Sequence, residues 1–198
     1  MLNRIYSFAI KLYLIFLGIK VGKNFYIESF PKLKIDGIAK NIFFGDNVKI
    51  LGKIDIRNRE NGKLIFKNNI KIEHSCRFVS AQNGTIYIDD NTVVGTYAIW
   101  NGGGDIIVGK KCLISAGSRM NANEHHYKKN SYICDQGFEY GNVTIGDDCL
   151  LGVNVVVTKD VNIKRGSVIG ANSVVTKDTE EYSINAGSPS KIIKYRES

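Results

Sequence analysis

Aliphatic residues stand at Ile145, Leu151, Val157, Ile163, Ile169 and Val175, six apart without a break. Neither regular element sustains that period, because a helix returns to one face about every 3.6 residues and a strand every second residue. A short strand followed by a turn, repeated, does sustain it, and it points one aliphatic side chain per face into a narrow core. Compact residues recur four places after the guides, at Cys149, Val155, Val161, Ser167 and Ser173.

The register continues upstream. Guides fall at Val21, Ile27 and Leu33, then at Phe44, Ile50 and Ile56, Phe66, Ile72 and Phe78, Ile88, Val94 and Trp100, and Val108, Ile114 and Met120. Three hexads make one triangular turn, so the chain holds about seven coils of an all-β parallel β-helix. After the first four turns the register slips by five, four, four and two residues, and after the fifth by nineteen. Every insertion therefore leaves the prism at the same corner. Turn-forming runs such as Asn58-Arg59-Glu60-Asn61-Gly62 and Gln82-Asn83-Gly84 stand there. The resulting organisation is an N-terminal segment 1–20, a β-helix 21–178 with an insertion loop at 121–142, and a C-terminal tail or helix at 179–198.

The same register accounts for the cysteines. Cys76, Cys112 and Cys149 each fall four places after a guide, where a free thiol behaves as a small apolar residue. Cys134 lies in the long insertion, and the four form no C-x-x-C pair, so neither a zinc site nor a disulfide framework is indicated. A formal charge of +8 favours anionic partners. The lysines are scattered without a dense basic run or a nucleic-acid motif, which argues against nucleic acid.

Ile5 to Ile19 is apolar but carries Lys11, is shorter than a membrane-spanning helix, and is followed by no small-x-small cleavage site. Ile5, Phe8, Ala9, Leu12 and Phe16 follow helical spacing. Two readings stand for this segment: a helix packed on its own domain or a neighbouring subunit, and an interfacial helix making peripheral contact with the membrane through residues 1–20.

The repeat resembles that of the hexapeptide-repeat acyltransferases from Val21 to about Ile193. The resemblance is most specific at Asp135-Gln136-Gly137, Ile145-Gly146-Asp147-Asp148, Ile169-Gly170-Ala171, Ser173-Val174-Val175-Thr176-Lys177-Asp178 and Ala186-Gly187-Ser188-Pro189. Within the family it is similar to bacterial sugar and polysaccharide O-acetyltransferases. The resemblance implies a left-handed β-helix, a homotrimer with active sites between subunits, acetyl-CoA as donor without a metal, and a carbohydrate acceptor. The unpaired thiols suit a cytoplasmic protein, placed by the second reading of residues 1–20 at the inner face of the membrane. Leu150-Leu151-Gly152 stands where many relatives have Trp-Ile-Gly.

Transfer of an acetyl group to an alcohol needs a base for the hydroxyl proton, donors for the oxyanion and a grip on the CoA arm. The chain has three histidines. His74 sits inside a regular hexad and is read as structural or solvent-facing. The family's insertion opens with a His base, which places the role on His125, with His126 as the alternative, because the spacing to Gln136 is one residue short. Glu124 or Asp135 is the candidate to orient that base. For the CoA arm and its phosphates the resemblance points to Gly152, Val153, Ala171, Thr176, Lys177 and Lys191. Two other functions share the fold. An N-acetyltransferase acting on an amino group of a nucleotide-linked amino sugar also uses a His base. A γ-carbonic anhydrase-type enzyme needs three His metal ligands at spacings that His74, His125 and His126 do not supply.

Overall fold

In the computed structural model, which describes residues 2–197, every guide stacks on its counterpart in the next coil. Met1 and Ser198, the ends of the segments 1–20 and 179–198, lie outside the described residues. Val21 pairs with Phe44, which continues to Phe66, Ile88, Val108, Ile145 and Ile163. Ile27 begins the second stack and Leu33 the third, each running through seven coils to Ile169 and Val175. The result is three sheets of seven, nine and seven strands, parallel except for the last strand of the second, in a left-handed parallel β-helix.

The core is made of the guides and of the residues four places after those of the first two sheets. Phe44, Phe66, Phe78 and Trp100 are all at most 1% exposed and pack ring on ring, with successive centroids 5.0, 5.4 and 5.1 Å apart. The Trp100 indole N–H donates to Ser118 Oγ at 3.1 Å, which satisfies its polar edge inside the stack. Burying one such side chain stabilises by roughly 1.5–3 kcal/mol, and the adjacent coil provides the cover, so no coil holds alone. Cys76, Cys112 and Cys149 lie in this core and Cys134 is exposed. Burial pushes the Cys76 thiol up to about 11, which keeps it protonated and unreactive.

The corners need left-handed backbone, and asparagine tolerates it better than most residues. Asn24, Asn47, Asn69 and Asn91 hold positive φ one above another at the corner between the first and second sheets. Their amides form a ladder, Asn24 to Asn47 at 3.0 Å and Asn47 to Asn69 at 2.9 Å.

The open N-terminal coil is closed by the helix Leu2–Phe16. Ser7, Ile10 and Leu14 form its buried stripe. The Ile27 N–H donates to Ser7 Oγ at 2.9 Å, and Lys11 Nζ donates to the Gly22 carbonyl at 2.5 Å. The face with Ile5, Phe8, Leu12 and Phe16 points away from the domain, with exposures from 52% to 87%. No helix among the described residues is long and apolar enough to cross a membrane.

The C-terminal segment departs from the expected tail or helix. Ser183–Gly187 pairs in parallel with Val168–Ile169, then turns back on itself to pair antiparallel with Ser190–Tyr195. The last coil of the second sheet would otherwise offer an unpaired edge. Gly187, with φ of 105°, and Pro189 make the reversal and stop any helix through this stretch.

Candidate active site

The long insertion after Met120 is a built structure. Asn123–His125 and Phe138–Tyr140 form an antiparallel ribbon in which Asn123 pairs with Tyr140, Glu124 with Glu139 and His125 with Phe138. Its tip is closed by Gln136, whose Oε1 accepts the Lys128 N–H at 2.7 Å and whose Nε2 donates to the Lys128 and Ser131 carbonyls at 2.7 and 2.8 Å. Gly137 follows with φ of 78°, and its carbonyl accepts the His126 N–H at 3.2 Å. At its base the ribbon is tied to the next coil by Lys159, 3.4 Å from Glu139, and by Asp160 Oδ1, which accepts the Asn142 N–H at 3.0 Å.

Gly102-Gly103-Gly104 lets the ribbon lie this close to the preceding coil. A Cβ on Gly103 would stand 2.5 Å from the Tyr140 ring, inside any real contact.

Between the ribbon and the outer face of the third sheet lies a groove of about 690 Å³. His125, Phe138 and Tyr140 form its ribbon wall, Asn101, Asn121 and Val79 its floor, and Arg57, Arg59 and Arg77 its far end. The His125 and Phe138 ring centroids are 4.0 Å apart. Arg57 donates to Asp55 through Nε at 3.1 Å and Nη2 at 2.9 Å, and Arg77 Nε donates to the same carboxylate at 3.1 Å. Burial pushes the Asp55 carboxyl up, but the two guanidiniums outweigh it and hold the group below the usual carboxylate range.

Of the acid-base candidates, His125 and Glu124 line this groove, whereas His126 and Asp135 do not. No hydrogen bond joins His125 to either carboxylate among the described residues, and successive strand residues face opposite ways, which sets Glu124 beside Glu139. His74 is exposed at a different corner, edge-on to Tyr97 with ring centroids 5.1 Å apart.

The six residues expected at the CoA arm are spread over two corners and the C-terminal hairpin. Gly152 and Ala171 stack at the corner between the second and third sheets, where a Cβ on Gly152 would meet the Ala171 backbone nitrogen at 2.6 Å. Close coil stacking is thus reason enough for that glycine. Val153 is exposed beside them. Thr176 and Lys177 are exposed at the corner from which the insertions leave, and Lys191 is exposed opposite Ala186 in the hairpin. None of the six lines the His125 groove.

Sequence reasoning missed Arg57, Arg77, Asn101, Asn121 and Phe138. The first four flank the guides Ile56, Phe78, Trp100 and Met120, so the period already assigned them to the outside of one sheet. Phe138 carried no comparable signal.

Comparison with known proteins agrees with this architecture. Residues 142–177 match the family model described as the hexapeptide repeat of succinyl-transferase. The chain is 32% identical over 158 residues to a dTDP-4-amino-4,6-dideoxy-D-glucose acyltransferase of Escherichia coli, covering 77% of this chain and 81% of the relative. It is 28% identical to a putative lipopolysaccharide biosynthesis O-acetyl transferase, WbbJ, of Escherichia coli K12, covering 89% and 93%. The fold matches AntD, an N-acyltransferase from Bacillus cereus solved with dTDP and 3-hydroxybutyryl-CoA, with a TM-score of 0.64, 19% identity and coverage of 94% and 88%. With its seven stacked coils and its ribbon-bearing corner, this chain belongs to the hexapeptide-repeat acyltransferase family.

Proposed function

We propose that the protein transfers an acetyl group from acetyl-CoA to a hydroxyl of a sugar in a surface glycan or its precursor, with His125 as the general base. The observation that carries this reading is the position of His125, the one histidine in the wall of the groove, where an acceptor would lie against Asn101 and Asn121. An imidazole nitrogen takes the hydroxyl proton as the oxygen bonds to the thioester carbonyl. The C–S bond then breaks, and the same nitrogen returns the proton to the departing CoA sulfur. Glu124 lines the groove and Asp135 does not, but Glu124 faces the opposite side of the ribbon from His125, so neither carboxylate is assigned as the orienting group.

Val153 and Ala171, neighbours on adjacent coils, are the residues that would receive the CoA arm, and Lys177 and Lys191 would meet its phosphates. They stand on surfaces other than the His125 wall, so a homotrimer that sets one copy's corner against the next copy's ribbon completes the site. Leu113 and Leu150, stacked on the second sheet and 53% and 38% exposed, with Tyr97 and Val153 at the adjoining corner, supply apolar surface for that association. The outward apolar face of the N-terminal helix, bordered by Arg4, Lys20 and Lys23, suits peripheral contact with the inner face of an anionic membrane, where lipid-linked acceptors are found.

The second reading, acylation of an amino group on a nucleotide-linked amino sugar, is favoured by the named activity of the relative at 32% identity. Incubation with acetyl-CoA and paired hydroxyl and amino acceptors separates the two. The O-acetyl ester is cleaved by alkaline hydroxylamine and an amide is not. A hydroxylamine-stable product alone would overturn the O-acetyl reading.

A further inference from the structure

The far end of the groove gathers three arginines, Arg57, Arg59 and Arg77. On the outer face of the third sheet, Arg57, Val79, Asn101 and Asn121 stand in register on four successive coils, and Asp55 and Arg77 stand in the neighbouring row. Asp55 is shared between two guanidiniums, and Lys32 lies 3.9 Å from it, so one carboxylate faces three cations. Arg57 commits Nε and Nη2 to Asp55, and Arg77 commits only Nε. Among the described residues, Arg57 Nη1 and both terminal nitrogens of Arg77 have no protein acceptor. Glu60, the other acid at this end, accepts the Gln82 N–H at 2.8 Å. Arg59 enters the same groove from the corner loop. A guanidinium held along one edge presents its remaining donors in a fixed orientation, which suits a phosphate or a carboxylate.

The spacing adds a dimension. Neighbouring strands lie about 4.8 Å apart. Arg57 is three rungs from Asn121, roughly 14 Å, and the ribbon bearing His125 starts just beyond. One sugar ring does not bridge that span. A ring with a diphosphate attached does, and so does a ring joined to the next acidic sugar of a chain. Asn101 Nδ2 donates to Asn121 Oδ1 at 3.1 Å, which leaves the second acceptor and donor sites of the two amides for sugar hydroxyls on the way.

We propose that the groove selects an acceptor carrying an anionic group, phosphate or carboxylate, gripped by Arg57, Arg59 and Arg77 while the reacting sugar lies over Asn101 and Asn121 toward His125. This rests on the reading of the groove as the acceptor site.

Calorimetric titration tests it without turnover, using pyrophosphate, a hexuronate trisaccharide and a neutral trisaccharide of the same linkage. The wild-type protein binds at least one anionic probe more tightly than the neutral one, and the two anionic arms tell phosphate from carboxylate. Arg57→Gln and Arg77→Gln weaken that probe on the order of 10- to 100-fold. Arg59→Gln, which leaves the Asp55 pairs intact, weakens it too and serves should either of the others fail to fold. Pyrophosphate, confined to the arginine end, reads the anion site whether or not His125 is the base, and His74→Ala, exposed at a different corner, binds every probe as the wild type does. Equal binding of all three probes, or unchanged binding in the arginine variants, overturns the proposal.

Discussion

His125 and Phe138 face each other across the antiparallel ribbon, their ring centroids 4.0 Å apart and their planes tilted by 39°. The phenyl ring limits the imidazole's freedom on one side and leaves its other face to the groove. In this account Phe138 is a positioning residue. Phe138→Ala should lower kcat about 10- to 100-fold, leave the KM for acetyl-CoA unchanged and scarcely move the melting temperature. Phe138→Tyr, which keeps a ring in place, should restore most of kcat. A fall in stability that matches the fall in rate, with no rescue by tyrosine, would make the contact merely structural.

The exposed face of the N-terminal helix carries the membrane prediction. Phe8, Leu12 and Phe16 are 60%, 52% and 87% exposed, while Ser7, Ile10 and Leu14 hold the helix to the first coil. Changing Phe8, Leu12 and Phe16 together to serine should therefore spare the fold. It should abolish co-sedimentation with vesicles containing anionic lipid, since each apolar side chain inserted contributes on the order of 1.5–3 kcal/mol. Raised salt should weaken the wild-type interaction. Equal sedimentation of the triple variant would contradict the membrane contact.

Asp55 sets an acid dependence whose sign follows from its environment. Its carboxyl is held below the ordinary range by Arg57 and Arg77 despite partial burial. The folded state therefore binds that proton less readily than the unfolded chain. The resulting stability is complete above the ordinary aspartate value, about 3.9, and is lost as pH falls through the lower folded value. Melting temperature followed from pH 7 down to about pH 2.5 should fall more steeply at the acid end for the wild type than for Asp55→Asn. Parallel acid limbs would show that the pairs with Arg57 and Arg77 contribute nothing to stability.

Much of this architecture is legible in the period alone. Every guide from Val21 to Val175 stacks where the six-residue register puts it, because a narrow triangular core accepts one inward side chain per face and the coil above completes its burial. The compact position likewise places Cys76, Cys112 and Cys149 inside. The site is less legible for a physical reason. The residues between the strands Arg119–Asn121 and Val143–Ile145 leave the repeat, and the pairing of His125 with Phe138 depends on a reversal of twelve residues, 126–137, that no period encodes. The C-terminal strands Ser183–Gly187 and Ser190–Tyr195 form to cover an edge that exists only once the coils are stacked. Arg57 and Arg77 lie between these cases. Their positions beside Ile56 and Phe78 assign them to one outer face, but their convergence on Asp55 becomes visible only when coils are laid one upon another.

The central claim is that His125 removes the acceptor proton. The most direct measurement is the single-turnover rate of acetyl transfer for wild type, His125→Ala and His126→Ala, with CoA affinity measured on the same preparations. His125→Ala should lose about 10²- to 10⁴-fold in rate at unchanged CoA affinity, and His126→Ala, whose side chain lies outside the groove lining, should stay within a few-fold of the wild type. Transfer at near wild-type rate by His125→Ala, with the loss falling on His126→Ala or on neither, would contradict the account.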